Sequence, residues 1–121
     1  MQDCKCVIIW DKKIAEGLNN YSMIEMAWTN FINKPSKLYS KIASQPNRIH
    51  PTQKPVDLYK WLLKNYAKPE FKILDTHGGS MSSVIAFDEF GCDYVVYEID
   101  KEYFDTAMKR VKTARQQLKL L

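Results

Sequence analysis

The stretch from Phe71 to Asp100 constrains the fold of this chain more than any other part of its sequence. An apolar run ends at Asp75, a glycine turn (Gly78 to Ser80) follows, and an apolar pattern with helical spacing continues to Phe90. A second apolar run then ends at Glu98. Two parallel strands require a crossover connection, which is usually a helix. The sequence therefore predicts a β-strand, a glycine turn, a helix and a parallel β-strand, with an acid at the tip of each strand.

This unit is suited to a nucleoside ligand. Glycine allows positive φ and close approach of a ligand, and the following helix offers unpaired N–H groups. Glu98 lies 19 residues after Gly79, near the spacing of about 20 at which an acid accepts from ribose hydroxyls. The third glycine of the dinucleotide fingerprint is missing, and Asp75 would repel a pyrophosphate but accept from an amino group. The pattern favours an adenosyl ligand that carries an amino acid, and a glycine turn without a ligand is the alternative.

Length and composition bound the class of protein. The 121 residues, 45% of them hydrophobic, fit a single domain (1–121) with a modest core. The chain has no apolar run long enough to span a membrane and no signal-peptide pattern, so we expect a cytoplasmic protein without a membrane partner. Cys4, Cys6 and Cys92 have neither zinc-ribbon nor thioredoxin spacing, so we expect reduced thiols. A metal site that joins them to His50 and His77 is a weak alternative.

The net charge of +4 is concentrated in one segment. Between Phe31 and Lys68 there are eight basic residues and one acid, with aromatic residues interleaved. Such a segment is typical of a surface that meets phosphates, and a solvated lysine-rich loop and helix face is the alternative. The candidate contacts to DNA are Lys34, Lys37, Lys41 and Arg48.

The other elements follow from periodicity and turn residues. Cys6 to Trp10 is apolar and β-branched, which predicts a buried strand, and Met23 to Phe31 predicts a second strand. Asn33 to Pro51 is polar and interrupted by proline, which favours an exposed connection. A helix should begin near Pro55 and end before Pro69.

The last helix, one loop and the buried face of the helix after Pro55 complete the prediction. Asp100 is placed to cap the last helix, whose apolar positions keep helical spacing to Leu118. The cluster from Gly17 to Asn20 predicts a loop. The residues expected on the buried face of the helix after Pro55 are Val56, Tyr59, Leu62, Leu63 and Tyr66.

Three segments carry a resemblance to a known family. His50 to Pro55 reads His-Pro-Thr-Gln-Lys-Pro, Ile73 to Ser80 reads Ile-Leu-Asp-Thr-His-Gly-Gly-Ser, and Tyr97 to Tyr103 contains the second acid and the start of a helix. In this order they resemble the C-terminal half of the DNA adenine-N6 or cytosine-N4 amino-methyltransferases, in the subgroup whose catalytic motif precedes the cofactor motif. The resemblance implies a partial Rossmann-like α/β methyltransferase fold with three αβα layers. Residues 1–31 would be the terminal strands of the catalytic half, 32–50 a basic loop and 51–121 the cofactor-binding half.

The resemblance also implies S-adenosylmethionine as cofactor. The residues that it assigns to the cofactor are Thr52, Lys54, Asp75, Gly78, Gly79, Ser80 and Glu98. Glu98 would take the ribose hydroxyls and the others the methionine part. His77 stands where the family loop has Phe, and Met81 stands where it has its last Gly. A Cβ at position 81 is expected to narrow the approach of the ligand.

One family motif is absent. Methyl transfer in this family uses Asp/Asn/Ser-Pro-Pro-Tyr/Phe, but this sequence contains no Pro-Pro dipeptide, so no catalytic residue is assigned. Asp11 beside Trp10 and Asn30 beside Phe31 are the nearest substitutes. The resemblance implies a truncated or split DNA methyltransferase, with adenine N6 favoured, acting on double-stranded DNA with a separate N-terminal half or as a homo-oligomer. The alternative is a non-catalytic remnant that binds S-adenosylmethionine or DNA.

Overall fold

The computed structural model describes residues 6–14, 22–41 and 48–121 of the chain. These fall into two units, Met1–Gln45 and Pro46–Leu121. The boundary lies inside the segment 32–50 that the sequence predicts as a basic loop. Cys4 and the loop predicted from Gly17 to Asn20 lie outside the described residues.

The first unit contains a three-stranded sheet. Its strands are β1 (Val7–Asp11), β2 (Ile24–Trp28) and β3 (Lys37–Ser40), in the order β2-β1-β3. β2 pairs with β1 in antiparallel orientation and β3 pairs with it in parallel orientation. The predictions of β1 and β2 are confirmed.

β3 was not expected, because it lies in the segment predicted as an exposed connection. That prediction is wrong for Lys37–Ser40. Local sequence there is polar, but pairing with the apolar strand β1 supplies the backbone partners. Side-chain and backbone bonds fix both ends of the pairing, since the Val7 N–H donates to Ser36 Oγ at 2.9 Å and the Lys41 N–H donates to the Asp11 carbonyl at 3.0 Å.

β1 alternates in burial rather than being buried throughout. Ile8 and Trp10 are buried, whereas Val7 and Ile9 are partly exposed. A continuous apolar run is typical of a strand covered on both faces, but the face of this sheet that carries Ile9 also carries the exposed side chain of Met26. The expectation of a fully buried strand is therefore wrong.

The second unit carries the predicted βαβ pattern. Its elements are α1 (Val56–Tyr66), β4 (Lys72–Asp75), α2 (Ser82–Phe90), β5 (Asp93–Val96) and α3 (Lys101–Lys119). β4 and β5 pair in parallel, with Asp75 opposite Val96. The strand, turn, helix and parallel strand predicted from the sequence are all confirmed.

Helix α2 is the centre of packing in this unit. Towards α1 it contributes Ala86 and Phe87 to one core cluster, and towards α3 it contributes Val84 to another. Both clusters pack against Tyr94 and Val96 of β5. Because alternate residues of a strand point to opposite faces, the helices pack on a single face of the β4–β5 sheet. Within residues 48–121 this gives two of the three layers expected for the fold.

The helix ends agree with the sequence. The Asp100 carboxylate accepts from the Tyr103 N–H at 2.9 Å and so caps α3 as predicted. α1 begins directly after Pro55, and Leu63 is buried as expected. Leu58 is also buried on α1, although the predicted apolar face omitted it.

No helix among the described residues is long and apolar enough to cross a membrane.

A polar cluster joins α2, β5 and α3. The Tyr94 hydroxyl donates to Asp88 Oδ1 at 2.5 Å, and Arg115 donates to Asp88 Oδ2 at 2.8 Å and to the Tyr94 hydroxyl at 2.9 Å. Burial and the hydrogen bond to Asp88 raise the pKa of Tyr94. All three hydrogen bonds of this cluster join side chains, and they link α2, β5 and α3 to one another.

Candidate functional site

The tips of the two parallel strands are joined by backbone hydrogen bonds. Asp75 is the last residue of β4, and Tyr97 directly follows β5. The Tyr97 N–H donates to the Asp75 carbonyl at 2.9 Å, and the Gly78 N–H donates to the Tyr97 carbonyl at 2.7 Å. The glycine turn is thereby fixed to the edge of the sheet at which both predicted acids, Asp75 and Glu98, lie.

The Glu98 carboxylate is already part of a hydrogen-bond network. Its Oε2 accepts from the Gly79 N–H at 2.7 Å, and its Oε1 accepts from the Asp100 N–H at 3.1 Å. The sequence assigned the Gly79 backbone to the ligand, but here its N–H is directed at Glu98. An ionised carboxylate has about four acceptor positions, so each oxygen can accept a further hydroxyl.

The Asp75 carboxylate is held from both sides. Its Oδ1 accepts from the His77 N–H at 3.0 Å, and its Oδ2 accepts from the Ser83 hydroxyl at 2.6 Å. Ser83 is only 1% exposed, whereas Asp75 remains partly exposed. The carboxylate is therefore fixed in orientation but open to a cationic group. His77 is exposed, and its Nδ1 lies 2.8 Å from the Thr76 hydroxyl.

The structure explains why glycine occupies both positions of the turn. A Cβ at Gly78 would lie 2.7 Å from Met81 Sδ and 2.7 Å from Val96 Cγ1, so a side chain there meets the core. Gly79 has φ of +54°, in the left-handed region that side chains disfavour. Gly78 is required by packing and Gly79 by backbone conformation.

Met81 lies in the core. Its side chain is 1% exposed and packs with Val84, Ala107 and Val111. The residue adopts φ 59° and ψ 27° at the N-cap of α2, a left-handed conformation that costs a non-glycine residue about 1–3 kcal/mol. Burial of the thioether offsets that strain. The expected narrowing of the ligand's approach does not come from this side chain, because it points into the core.

The His-Pro-Thr-Gln-Lys-Pro segment reaches the glycine turn through His50. The His50 ring lies 3.7 Å from the position of a Cβ on Gly79, and its centroid lies 4.3 Å from that of Tyr103. The N–H and hydroxyl of Thr52 contact His50 Nδ1 at 3.2 and 3.1 Å. Thr52 therefore contacts the ring that lies against Gly79, while Lys54 is partly buried just before α1. His50 was not assigned to the site from the sequence, although the motif that contains it was.

The first turn of α2 faces the same loop. α2 has no side-chain cap, and helix geometry leaves the N–H groups of its first turn without an intrahelical acceptor. Ser80 is buried, and its hydroxyl lies 3.1 Å from that of Ser82. The residues of this first turn, Ser82, Ser83 and Val84, are at most 3% exposed, so its N–H groups are covered by the surrounding side chains.

Ile99 is a second residue that sequence reasoning missed. It follows Glu98 directly and its side chain is fully exposed. Ile99 therefore presents an exposed apolar surface beside the Glu98 carboxylate. The signal was available in the sequence, since Ile99 breaks the polar character of the segment between β5 and α3.

The candidate DNA contacts fall in both units. Lys34 is exposed, and Lys37 and Lys41 are partly buried in and just after β3. Arg48 belongs to the second unit, where it donates to the His50 carbonyl at 3.0 Å and also to the Pro51 carbonyl. Arg48 therefore braces the His50 turn in addition to any role towards DNA. The described residues hold no group of three His, Cys, Asp or Glu side chains placed as metal ligands.

The fold and the acid-flanked glycine turn define a Rossmann-like α/β methyltransferase fold. It is shared with M1.HpyAVI in its SAM complex, at a TM-score of 0.68 and 23% identity over 87% of this chain and 60% of that one. It is also shared with TTHA0409, a putative DNA modification methylase from Thermus thermophilus in complex with S-adenosyl-L-methionine, at a TM-score of 0.60 and 17% identity over 89% of this chain and 52% of that one.

The chain belongs to the DNA methylase family N6_N4_Mtase, whose model matches residues 8–109. It is similar to the putative methylase YubD of Escherichia coli (strain K12), with 30% identity over 70 residues, which are 58% of this chain and 31% of YubD. The chain thus spans about a third of YubD and about 60% of M1.HpyAVI.

The position of Met81 predicts the effect of its replacement. Met81→Gly should relieve backbone strain but remove a buried side chain, and truncation of a core methionine costs about 2–5 kcal/mol. We expect a net loss of about 1–3 kcal/mol in the free energy of unfolding by urea, since relief of strain returns only part of that cost. Met81→Leu, which keeps the volume, should cost less than about 1.5 kcal/mol. A glycine variant as stable as the parent would contradict this placement of the side chain.

Proposed function

We propose that this chain carries the cofactor-binding half of an S-adenosylmethionine-dependent DNA N-methyltransferase. The observation that carries the proposal is the pair of acids, Asp75 and Glu98, at adjacent parallel strand tips, with Glu98 hydrogen-bonded to the glycine turn and Asp75 to His77 just before it. Membership in the DNA methylase family supports the reaction class. The cofactor proposal is further supported by two structures of similar fold that are complexes with it.

Each part of the cofactor has a partner of matching chemistry. Asp75, which is partly exposed, accepts from the ammonium group of the methionine part, and the Gly78 to Ser80 turn takes the rest of that part. Glu98 accepts from the ribose hydroxyls while keeping its bond to Gly79. Ile99 offers an apolar surface to the base. Thr52 supports the site through its contact with His50, and Lys54 lies in the same segment, just before α1. The bound cofactor would supply the methyl group as an electrophile.

Double-stranded DNA is the proposed substrate. Lys34, Lys37 and Lys41 lie close together in sequence at β3, and Arg48 follows in the second unit. Lysine and arginine side chains of this kind bind the phosphate backbone without reading sequence. We propose adenine N6 rather than cytosine N4 as the methylated atom, and this choice rests on the family resemblance alone.

The transfer step itself needs residues that this chain does not provide. Aiming an exocyclic amine at a methyl group depends on positioning, which supplies much of the rate. The Asp11 carboxylate accepts from the Lys13 N–H at 2.9 Å and from the Ser40 hydroxyl at 3.2 Å, and Trp10 is only 4% exposed. A buried indole cannot stack on a flipped base. The catalytic motif would then reside on a separate N-terminal half or on another copy in an oligomer.

The engagement of Asp11 and the absence of Pro-Pro also favour a second candidate function. In it the chain is a non-catalytic remnant that binds S-adenosylmethionine, DNA or both. The two candidates differ in whether a supplied N-terminal half restores methyl transfer.

Titration calorimetry with S-adenosylmethionine tests the cofactor site. Glu98→Ala should weaken binding about 10-fold or more, because a charged acceptor of ribose hydroxyls contributes about 1.5–3 kcal/mol. Glu70→Ala, which removes an exposed acid in the turn before β4, is the matched control and should bind as the parent does. Equal heats for the parent and Glu98→Ala would refute the assignment.

Salt dependence tests the DNA surface. If these cations meet phosphates, affinity for mixed-sequence duplex should fall steeply with salt, with a log–log slope of about −0.9 per phosphate contact. The combined Lys34→Ala, Lys37→Ala and Lys41→Ala variant should have a shallower slope. A control variant with Lys112→Ala and Lys119→Ala, both exposed on α3, should keep the parent slope. A flat response of the parent, or equal slopes for both variants, would favour a merely solvated surface.

A radiolabelled-methyl assay on mixed-sequence duplex separates the two functions. We expect no incorporation by this chain alone, because it lacks the proline pair that directs a backbone carbonyl to the amine. Addition of an N-terminal half that carries the motif should restore transfer to a methyltransferase half and not to a remnant. Robust incorporation by the chain alone would overturn the expectation, and Asp11→Ala and Asn30→Ala would then identify the residue responsible.

A further inference from the structure

Arg110, on the third turn of α3, reaches back to the loop that precedes α2. Its Nη1 donates to the Ser80 carbonyl and to the Ser82 hydroxyl, both at 2.9 Å. Ser80 and Ser82 are themselves buried. A guanidinium that makes two bonds into a buried loop, 30 and 28 residues away in sequence, fixes that loop against α3.

The two acceptors flank the strained residue of the turn. Met81 lies between Ser80 and Ser82 in the left-handed conformation, and as the N-cap residue of α2 it makes no hydrogen bond to the helix through its side chain. A left-handed methionine persists only where its surroundings hold both neighbours. Arg110 Nη1 provides that restraint, because this single atom donates to the residues on both sides of Met81.

The charge of Arg110 is poorly placed to stabilise α2. The N-terminus of a helix carries partial positive charge, which disfavours a neighbouring cation, and burial lowers the pKa of Arg110. The same first turn is tied to an acid on its other side, since the Ser83 hydroxyl donates to Asp75. Arg110 and Asp75 thus hold adjacent serines, and the geometry of the turn depends on both.

We propose that Arg110 is a positioning residue for the candidate cofactor site. It holds the Ser80–Ser82 segment so that the Gly79 N–H meets Glu98 and Ser83 meets Asp75, and it does so without touching the ligand. The role in binding rests on the proposed function, whereas the role in orienting Gly79 does not.

The test uses two readouts on one set of variants. Arg110→Met keeps an unbranched apolar stem but removes both hydrogen bonds, and Arg115→Met makes the same change on the same helix at the Asp88 and Tyr94 cluster. The first readout is the Kd for S-adenosylmethionine by calorimetry. The second, which needs no ligand, is the Gly79 amide proton by NMR and its exchange with solvent.

We expect Arg110→Met to raise the Kd about 10-fold or more and to accelerate exchange of the Gly79 amide by a similar factor. Arg115→Met should change neither beyond about 2-fold, although both variants lose stability. Ser82→Ala, which removes one acceptor and leaves the other, should give an intermediate effect, and it serves as the test if Arg110→Met does not fold.

Two results would overturn the proposal. One is an unchanged Gly79 amide in Arg110→Met, and the other is equal changes in Arg110→Met and Arg115→Met, which would indicate general destabilisation. If the parent fails to bind S-adenosylmethionine, the proposed function fails, and Arg110 is then judged on the Gly79 amide alone.

Discussion

The hydrogen bond from the Gly79 N–H to the Glu98 carboxylate joins the first strand-and-turn of the βαβ unit to the tip of its second strand. The donor N–H of the turn thus faces a negatively charged acceptor. The distance from the Gly79 nitrogen to Glu98 Oε2 is 2.7 Å, which is typical of charge-assisted hydrogen bonds. The other contacts around the site serve this arrangement. Tyr97 connects the strand tips through its own N–H and carbonyl, and Asp100 adds a second donor to Glu98 before capping α3.

Support for the turn comes from three directions within the second unit. His50 covers Gly79 from the segment before α1 and packs on Tyr103 of α3. The Met81 side chain packs in the core between α2 and α3 and so anchors the turn. Arg110 restrains the backbone on both sides of Met81. A site built in this way is rigid because packing, not the glycines, determines its conformation, and the glycines only make that conformation possible.

Sequence reasoning succeeded where the deciding interactions are local. The apolar run and the helical spacing between Phe71 and Phe90, and the cap at Asp100, depend on residues within a few positions of one another. It failed at β3, where four residues within a polar segment become a strand by pairing with β1, and at Arg110, whose acceptors lie 28 and 30 residues away. The inward direction of Met81 was equally hidden, because a left-handed backbone reverses where a side chain points. Contacts that the chain makes over such separations leave no periodic pattern to detect.

The uncapped start of α2 has a consequence for how this part of the molecule opens. At its other end the helix finishes on Gly91, whose N–H donates to the Phe87 carbonyl at 2.9 Å and closes the last turn. The two ends of the same helix are therefore held in different ways, the last turn by a backbone bond and the first turn by the side chains of Arg110 and Asp75, which bond to Ser82 and Ser83. A ligand that binds only the folded form stabilises it, so the free energy of binding at Asp75 would appear as resistance of the whole βαβ unit to unfolding.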